Sequence, residues 1–234
     1  MIDTIGRSGQ RPRLVLFDLD DTLCDHDGSL RLRLRLAFAS ACRDLPGIDL
    51  DAAVAAAVER SVAGTEHFGD VLAARGVRDP ERVERAVAHY AADRYRGLRL
   101  FDESLDVVET IKRQARVGMI TNGPSEIQRN KIRRLEIGEL FPFVLVSEEV
   151  GSWKPDTAIF HRALELGQAS PAEAVYVGDS PEHDVAGARA AGLRSVWVNR
   201  GGRTWPGGPA PDFEVRDLRD LLPLLGFDAS PLAS

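Results

Sequence analysis

Short apolar runs, each closing on polar or acidic residues, recur at Arg13–Leu19, Arg116–Thr121, Phe143–Val146, Ala174–Gly178 and Ser195–Asn199. Runs of this length without alternation predict strands buried on both faces, as in a parallel sheet. Between them the sequence predicts helices over Glu103–Gln114, Ser125–Leu135, Pro155–Leu166 and Pro181–Ala191. Ser125 is a candidate N-cap, and Pro155 and Pro181 suit first-turn positions. Strands alternating with helices in this way predict an α/β fold built on an open, doubly wound parallel sheet. Such sheets bind ligands beyond the carboxyl ends of their strands. Asp18, Asp20, Asp179 and the Thr121-Asn122-Gly123 turn all fall at those ends.

The alternation breaks between residues 24 and 98, which are rich in Ala and Arg and read as helices over Asp51–Ala63, Phe68–Ala74 and Arg82–Arg94. The stretch is far longer than one crossover requires, so it predicts a small helical domain inserted after the first strand. Leu30 to Leu36 alternates Leu with Arg, which is the period of a strand. It is read as helix because the insertion offers no sheet for a strand to join. The expected division is a Rossmann-like core at 13–23 and 99–226, an insertion at 24–98, and tails at 1–12 and 227–234.

Extended backbone puts Asp18 and Asp20 on one side and turns Leu19 inward. One Asp at a strand end is adequately explained as a cap or a solvated turn; the cluster Asp18-Leu19-Asp20-Asp21-Thr22 is not. Thr121, Asn122 and Gly123 supply a hydroxyl, an amide and a turn at which main-chain N–H groups can approach phosphoryl oxygens. Lys154, ahead of Pro155 and Asp156, can bring a cation to the same edge. Asp179 follows an apolar strand and Gly178, and Asp184 can support it from the next helix. Converging carboxylates repel by ~4 kcal/mol per pair at ~4 Å and an effective dielectric of ~20. The cluster therefore calls for a lysine and a divalent cation, and hard oxygen donors at a small open site suit Mg²⁺. A carboxylate so placed, Asp18, is a competent nucleophile for phosphoryl transfer. A second one, Asp20, can protonate the leaving oxygen and then activate water.

In their order, Phe17-Asp18-Leu19-Asp20-Asp21-Thr22, Thr121-Asn122-Gly123, Lys154-Pro155-Asp156 and Gly178-Asp179-Ser180 with Asp184 resemble the four motifs of the haloacid dehalogenase-like hydrolases. The resemblance runs from Arg13 to about Gly202 and excludes most of the insertion, which is similar to the family's helical cap of the first type. It implies Asp18 as nucleophile, forming an aspartyl-phosphate, and Asp20 as general acid and base. It implies Thr121 and Asn122 on the phosphoryl oxygens, with Lys154 steadying nucleophile and phosphate. Mg²⁺ would be held by the Asp18 carboxylate, the Asp20 carbonyl and Asp179, with Thr22 and Asp184 behind them. From Thr121 to Gly202 the wording is most similar to a branch containing pyrimidine 5′-nucleotidases and acylneuraminate-9-phosphate phosphatases. The expected activity is hydrolysis of small-molecule phosphate monoesters, such as nucleotide or sugar phosphates. A phosphomutase of the same superfamily would share these motifs and stays open. The acid at Asp20 counts against a carbon–halogen hydrolase, and the length and the insertion count against a phospho-acceptor signalling module.

Composition narrows this picture only at its edges. The 234 residues, 44% hydrophobic and 28% charged, suffice for one core with an insertion. No apolar run nears the ~18 residues of a membrane span. The polar first residues carry no signal-peptide apolar stretch, so a cytoplasmic protein with no membrane partner is expected. A net charge of −6 argues against a nucleic acid polymer but not against a small phosphate ester, which responds to local field. Cys24 and Cys42 fit no metal spacing and are expected as reduced, buried thiols. His183 is expected to be solvated; Trp153 and Trp205 flank the site, and His67 and Phe68 lie in the insertion. A monomer or a homodimer is expected.

Overall fold

The computed structural model describes residues 11–60 and 64–228. Most of both expected tails, and the end of the helix expected over Asp51–Ala63, therefore lie outside the described residues. In chain order the elements are β1 (Leu14–Phe17), α1 (His26–Cys42), α2 (Leu50–Glu59), α3 (Phe68–Ala73), α4 (Pro80–Ala92), α5 (Ser104–Lys112), β2 (Arg116–Thr121), α6 (Ser125–Arg134), β3 (Val144–Val146), α7 (Ser147–Val150), α8 (Thr157–Gly167), β4 (Ala174–Gly178), α9 (Ala186–Ala190), β5 (Arg194–Val198), β6 (Phe213–Val215) and α10 (Leu221–Leu225). A π-helical turn, Pro181–Val185, leads into α9.

The strands form one sheet among the described residues, in the order β3-β2-β1-β4-β5-β6, with neighbouring strands parallel throughout. This is the expected α/β sheet. The chain winds outward from β1 through β2 to β3, then crosses to the other side of β1 to begin again at β4. That reversal makes the β1/β4 junction the switch point at which such sheets hold ligands. The register sets Phe17 beside Met119 and Val177, so Asp18, Thr121 and Asp179 emerge close together. β6 was not expected. It is three residues long at the sheet edge, with Glu214 exposed, too short and too polar to stand out as an apolar run.

Helix starts differ from expectation in two places. Ser125 is the first residue of α6 and Pro124 its cap; the Ser125 N–H is met instead by Glu148 Oε2 at 2.7 Å. Pro155, joined to Lys154 by a cis peptide, precedes the cap of α8, which is Asp156 accepting from the Ala158 N–H. Pro181 does occupy a first-turn position, behind a Ser180 cap.

The described residues up to Asp25 and from Leu100 onward make one compact unit, and those between His26 and Arg99 a second. In the first, the stretches on either side of the insertion are tied together: Cys24 bridges Leu100, and the Phe101 N–H and the Ser104 hydroxyl both donate to the Leu23 carbonyl. In the second, the Leu–Arg alternation of α1 is helical, as read. The helix buries Ser29, Arg33, Ala37 and Ala41 with Leu34, Phe38 and Cys42, which is the spacing of one helical face. Phe68 packs on Phe38 and Tyr90 in the core of this unit.

Candidate active site

Lys154 is the centre of the site. It is 4% exposed, and its Nζ lies 2.6 Å from Asp18 Oδ1, 2.7 Å from Asp184 Oδ1, 2.9 Å from the Tyr176 hydroxyl and 3.3 Å from the Ile120 carbonyl. Burial opposes the charge on this ammonium, but Asp18 and Asp184 outweigh it, and its pKa is raised. The loop that carries Lys154 is pinned by Asn122, whose side-chain oxygen accepts from the Lys154 N–H and whose amide donates to the Lys154 carbonyl, both at 2.9 Å. The Asn122 amide, expected on a phosphoryl oxygen, gives one of its two N–H groups to placing the lysine.

Asp184 reaches the cluster because the π-helical turn swings it inward, where its Oδ2 accepts from the Ser180 N–H at 2.9 Å. Gly178 makes room for it. A Cβ at 178 would stand 2.4 Å from the Asp184 carboxyl carbon, so close approach, and not only a tight exit from the strand, demands glycine there. Tyr176 sits two residues earlier on the same side of β4; its hydroxyl is 3.2 Å from both Asp184 Oδ1 and the Ile120 carbonyl.

Oxygens of Asp18, Asp179 and Asp184 come within 4.8 Å of one another, so this cluster could hold a metal ion. Against three carboxylates stand one buried ammonium and, 3.5 Å from Asp179 Oδ2, the half-exposed Arg203 guanidinium. Burial pushes the Asp18 carboxyl well up, helped by Asp184, Asp179 and Asp20 and opposed by Lys154. Burial and then Asp184 push Asp179 up to about 7. Carboxylates held this far above their ordinary range are short of positive charge, and all their donors are hard oxygens, so the residues present fit a divalent cation. Asp184 is already committed to Lys154, Tyr176 and Ser180, which leaves Asp18 and Asp179 as the better ligands. Asp179 is held by its carbonyl, which accepts from the Trp197 indole at 2.9 Å and from Arg203 at 2.8 Å.

Asp20 stands apart from this cluster. Its Oδ2 receives Lys131 Nζ at 2.6 Å and Gln128 Nε2 at 3.1 Å. The same Gln128 amide donates to the Thr121 hydroxyl and, at 3.0 Å, to the Asn122 carbonyl. Asp21, next in the turn, adopts a left-handed backbone (φ 56°), which Asp tolerates. Gly123 has φ 141°, a value that favours glycine, and its N–H already donates to the Ser147 hydroxyl at 2.9 Å. Thr22 is buried with no hydrogen-bond partner for its hydroxyl among the described residues; its carbonyl accepts from Arg200, which pairs with Glu103 and stacks on Phe101. The structure therefore brings Asp18, Lys154, Asp179 and Asp184 together, sets Asp20 beside Thr121 through Gln128, and gives the Thr22 hydroxyl no link to them.

The family model of the haloacid dehalogenase-like hydrolases matches residues 12–192, and the chain belongs to that family. Among characterised relatives, the phosphoserine phosphatase of Thermus thermophilus is 37% identical over 61% of this chain and 57% of its own length. The pyrimidine 5′-nucleotidase YjjG of Escherichia coli is 37% identical over 52% of this chain and 55% of its own. This chain thus spans little more than half the length of these two relatives. The N-acylneuraminate-9-phosphatase of Mus musculus matches nearly end to end, 26% identical over 92% of this chain and 94% of its own. The branch resemblance read from Thr121 to Gly202 is thereby met on both of its names. Among solved structures, the HAD-hydrolase YfnB of Bacillus subtilis bound to magnesium superposes with a TM-score of 0.70 at 25% identity, covering 93% of this chain and all of that one. No described helix is long and apolar enough to cross a membrane.

Sequence reasoning missed Tyr176, Gln128, Lys131, Ser147 and Trp197. For Gln128 and Lys131 a signal existed. α6 has only Ile127 and Ile132 as apolar residues in ten, so packing it against the sheet must bury polar side chains, and it buries these two. Other expectations held in their plainer form: His183 is exposed, Phe68 is core packing, Cys24 and Cys42 are free and buried, and Trp205 lies edge-on against Trp197. Trp153 is half exposed.

Proposed function

We propose that this protein is a phosphatase that hydrolyses small-molecule phosphate monoesters through a phosphorylated Asp18. The observation that carries the reading is the 2.6 Å contact of Lys154 Nζ with Asp18 Oδ1, beside a second acid, Asp20, held separately two residues on. A buried ammonium at this distance favours the ionised form of Asp18, as a bound divalent cation would too, and offers charge to the phosphoryl oxygens. An Asp18 oxygen attacks phosphorus; the ester P–O bond breaks, and the departing oxygen takes the proton of the Asp20 carboxyl group. Water then gives a proton to the Asp20 carboxylate and its oxygen attacks the same phosphorus. The bond to Asp18 breaks and inorganic phosphate leaves. The Thr121 hydroxyl, which accepts from Gln128, still has its hydrogen to donate to the phosphoryl group. Mg²⁺, held by Asp18, Asp179 and the Asp20 carbonyl, would neutralise charge on the transferring group. The magnesium-bound YfnB neighbour supports that choice of ion.

The named relatives act on phosphoserine, pyrimidine nucleotides and an acylneuraminate phosphate, so the reading stops at soluble monoesters. The inserted unit His26–Arg99 is the proposed source of selectivity, and a cytoplasmic monomer or homodimer the proposed form. The test is phosphate release from p-nitrophenyl phosphate and a panel of nucleotide, sugar and amino-acid monophosphates, with Mg²⁺ or EDTA. Asp18→Asn should lower turnover by more than about 10³-fold. No release from any monoester by folded, Mg²⁺-loaded wild type would overturn the proposal.

A further inference from the structure

Gln128 and Lys131 belong to none of the four motifs, yet both are buried in the catalytic unit, at 2% and 6% exposure. They stand three residues apart on one face of α6, which starts directly after the Thr121-Asn122-Gly123 turn. A lysine this deep persists only where its charge is met, and Asp20 meets it at 2.6 Å. The two amide hydrogens of Gln128, one of them shared, reach the same Asp20 oxygen and two atoms of the turn, the Thr121 hydroxyl and the Asn122 carbonyl. One amide therefore spans the acid and the phosphate-binding turn, and one ammonium fixes the acid from the same helix.

We propose that Gln128 and Lys131 are positioning residues for Asp20, holding its carboxyl group through Oδ2 in register with the Thr121 turn and hence with the ester oxygen that must receive its proton. The proposal rests on the phosphatase reading above. It explains why a ten-residue helix buries an amide and a charge in place of leucines. It also separates two roles for lysine in one site, since Lys154 acts on Asp18 and Lys131 on Asp20. A proton donor held loosely loses most where the leaving oxygen most needs a proton.

The test compares kcat/KM of the full-length, Mg²⁺-loaded protein on p-nitrophenyl phosphate, whose leaving group departs without help, and on an alkyl monophosphate, whose leaving group does not. Lys131→Met and Gln128→Ala should each lose about tenfold more on the alkyl ester than on the aryl ester. Lys131→Arg should recover part of that difference, because its charge can still meet Asp20. Asp20→Asn marks the largest leaving-group dependence available, and adding Lys131→Met to it should cost little more on either ester. That double variant also removes both partners of the ion pair, so it reports even where Lys131→Met alone does not fold. Equal losses on both esters, or an undiminished further loss on top of Asp20→Asn, would overturn the positioning role while leaving the phosphatase reading intact. Wild type that turns over neither ester would overturn both.

Discussion

A buried cation taken from each unit shows what a charge inside a protein can mean. Lys154 sits among oxygens of Asp18, Asp184, Tyr176 and Ile120, and its pKa is raised despite burial. Arg33 in the inserted unit is also buried, at 8% exposure, but among the described residues it shows no carboxylate partner. It lies 3.9 Å over the Tyr90 ring and gives one long bond, 3.4 Å, to the Tyr90 carbonyl; burial lowers its pKa. Its neighbours Arg31 and Arg35 on the same helix are exposed. A guanidinium can be buried against an aromatic face because it is planar and weakly hydrated, whereas an ammonium needs anions. The first arrangement organises anions for chemistry; the second fills a helix interface.

The sharpest way to break this contrast is to remove each charge. Lys154→Met leaves Asp18 and Asp184 without their counter-charge. We expect it to cost about 3 kcal/mol or more of stability. Turnover should fall by more than about 10³-fold, as expected when one member of a catalytic unit is lost. Arg33→Met loses a cation–π contact and some packing, about 1–2 kcal/mol, with turnover within about threefold of wild type. Denaturant unfolding and steady-state kinetics of both variants decide it. An Arg33 variant as inactive as the Lys154 variant would mean that the buried arginine too serves the chemistry.

A second test uses pH, because the carboxylates around Lys154 outnumber it. Asp179 is held at about 7 in the fold against an ordinary 3.8. The folded, metal-free protein therefore keeps a proton that the unfolded chain has released, and its stability falls as pH rises from about 4 to about 7. The loss is on the order of 2–4 kcal/mol, and Asp18, also raised, adds in the same direction. A divalent cation must expel that proton, so apparent Mg²⁺ affinity should weaken about tenfold per pH unit below about 7 and level off above it. Melting curves in EDTA at pH 6 and pH 8, then with Mg²⁺, check both signs. Asp179→Asn should melt higher than wild type at pH 8 without metal and gain little from Mg²⁺. Equal melting of metal-free wild type at the two pH values would remove the charge imbalance on which the cation assignment rests.

How much of this was legible in the sequence follows from range. Strand positions, the parallel sheet and the arrival of Asp18, Thr121 and Asp179 at one edge come from local apolar runs and from topology, so they could be read directly. Buried polar side chains are set by long-range packing and could not. Tyr176 looks like any aromatic in a strand until Lys154 is placed beneath its hydroxyl. Nothing local to Asn122 shows that its side chain also holds the Lys154 main chain from both sides. β6 is set by its parallel pairing with β5, flanked by the Asn199 N–H to the Val215 carbonyl and the Asp212 N–H to the Ser195 carbonyl, more than by any apolar run of its own. Arg33 is the subtler case. The helical reading of α1 was right, yet it takes the helix's actual face to show which arginine points inward.

The smallest expected effect lies with His67 in the inserted unit. Its ring is buried edge-on to Phe68, and neither nitrogen has a hydrogen-bond partner among the described residues. Burial, with Arg60 nearby, lowers its pKa below the ordinary 6.5. The fold thus holds His67 neutral, while the unfolded chain takes up a proton near pH 6.5. The stability tied to this neutral ring is present above that pH and is lost as pH falls below it toward the folded value. His67→Leu removes both the unpartnered nitrogens and the pH dependence. It should raise the melting temperature by on the order of 1–3 °C at pH 7.5 and by more at pH 5.5. Turnover of p-nitrophenyl phosphate should stay near wild type if His67, like Arg33, serves packing alone. A specific loss on one monophosphate of the panel, with stability gained, would instead move His67 to the chemical side of the comparison and make it a residue that reads the substrate.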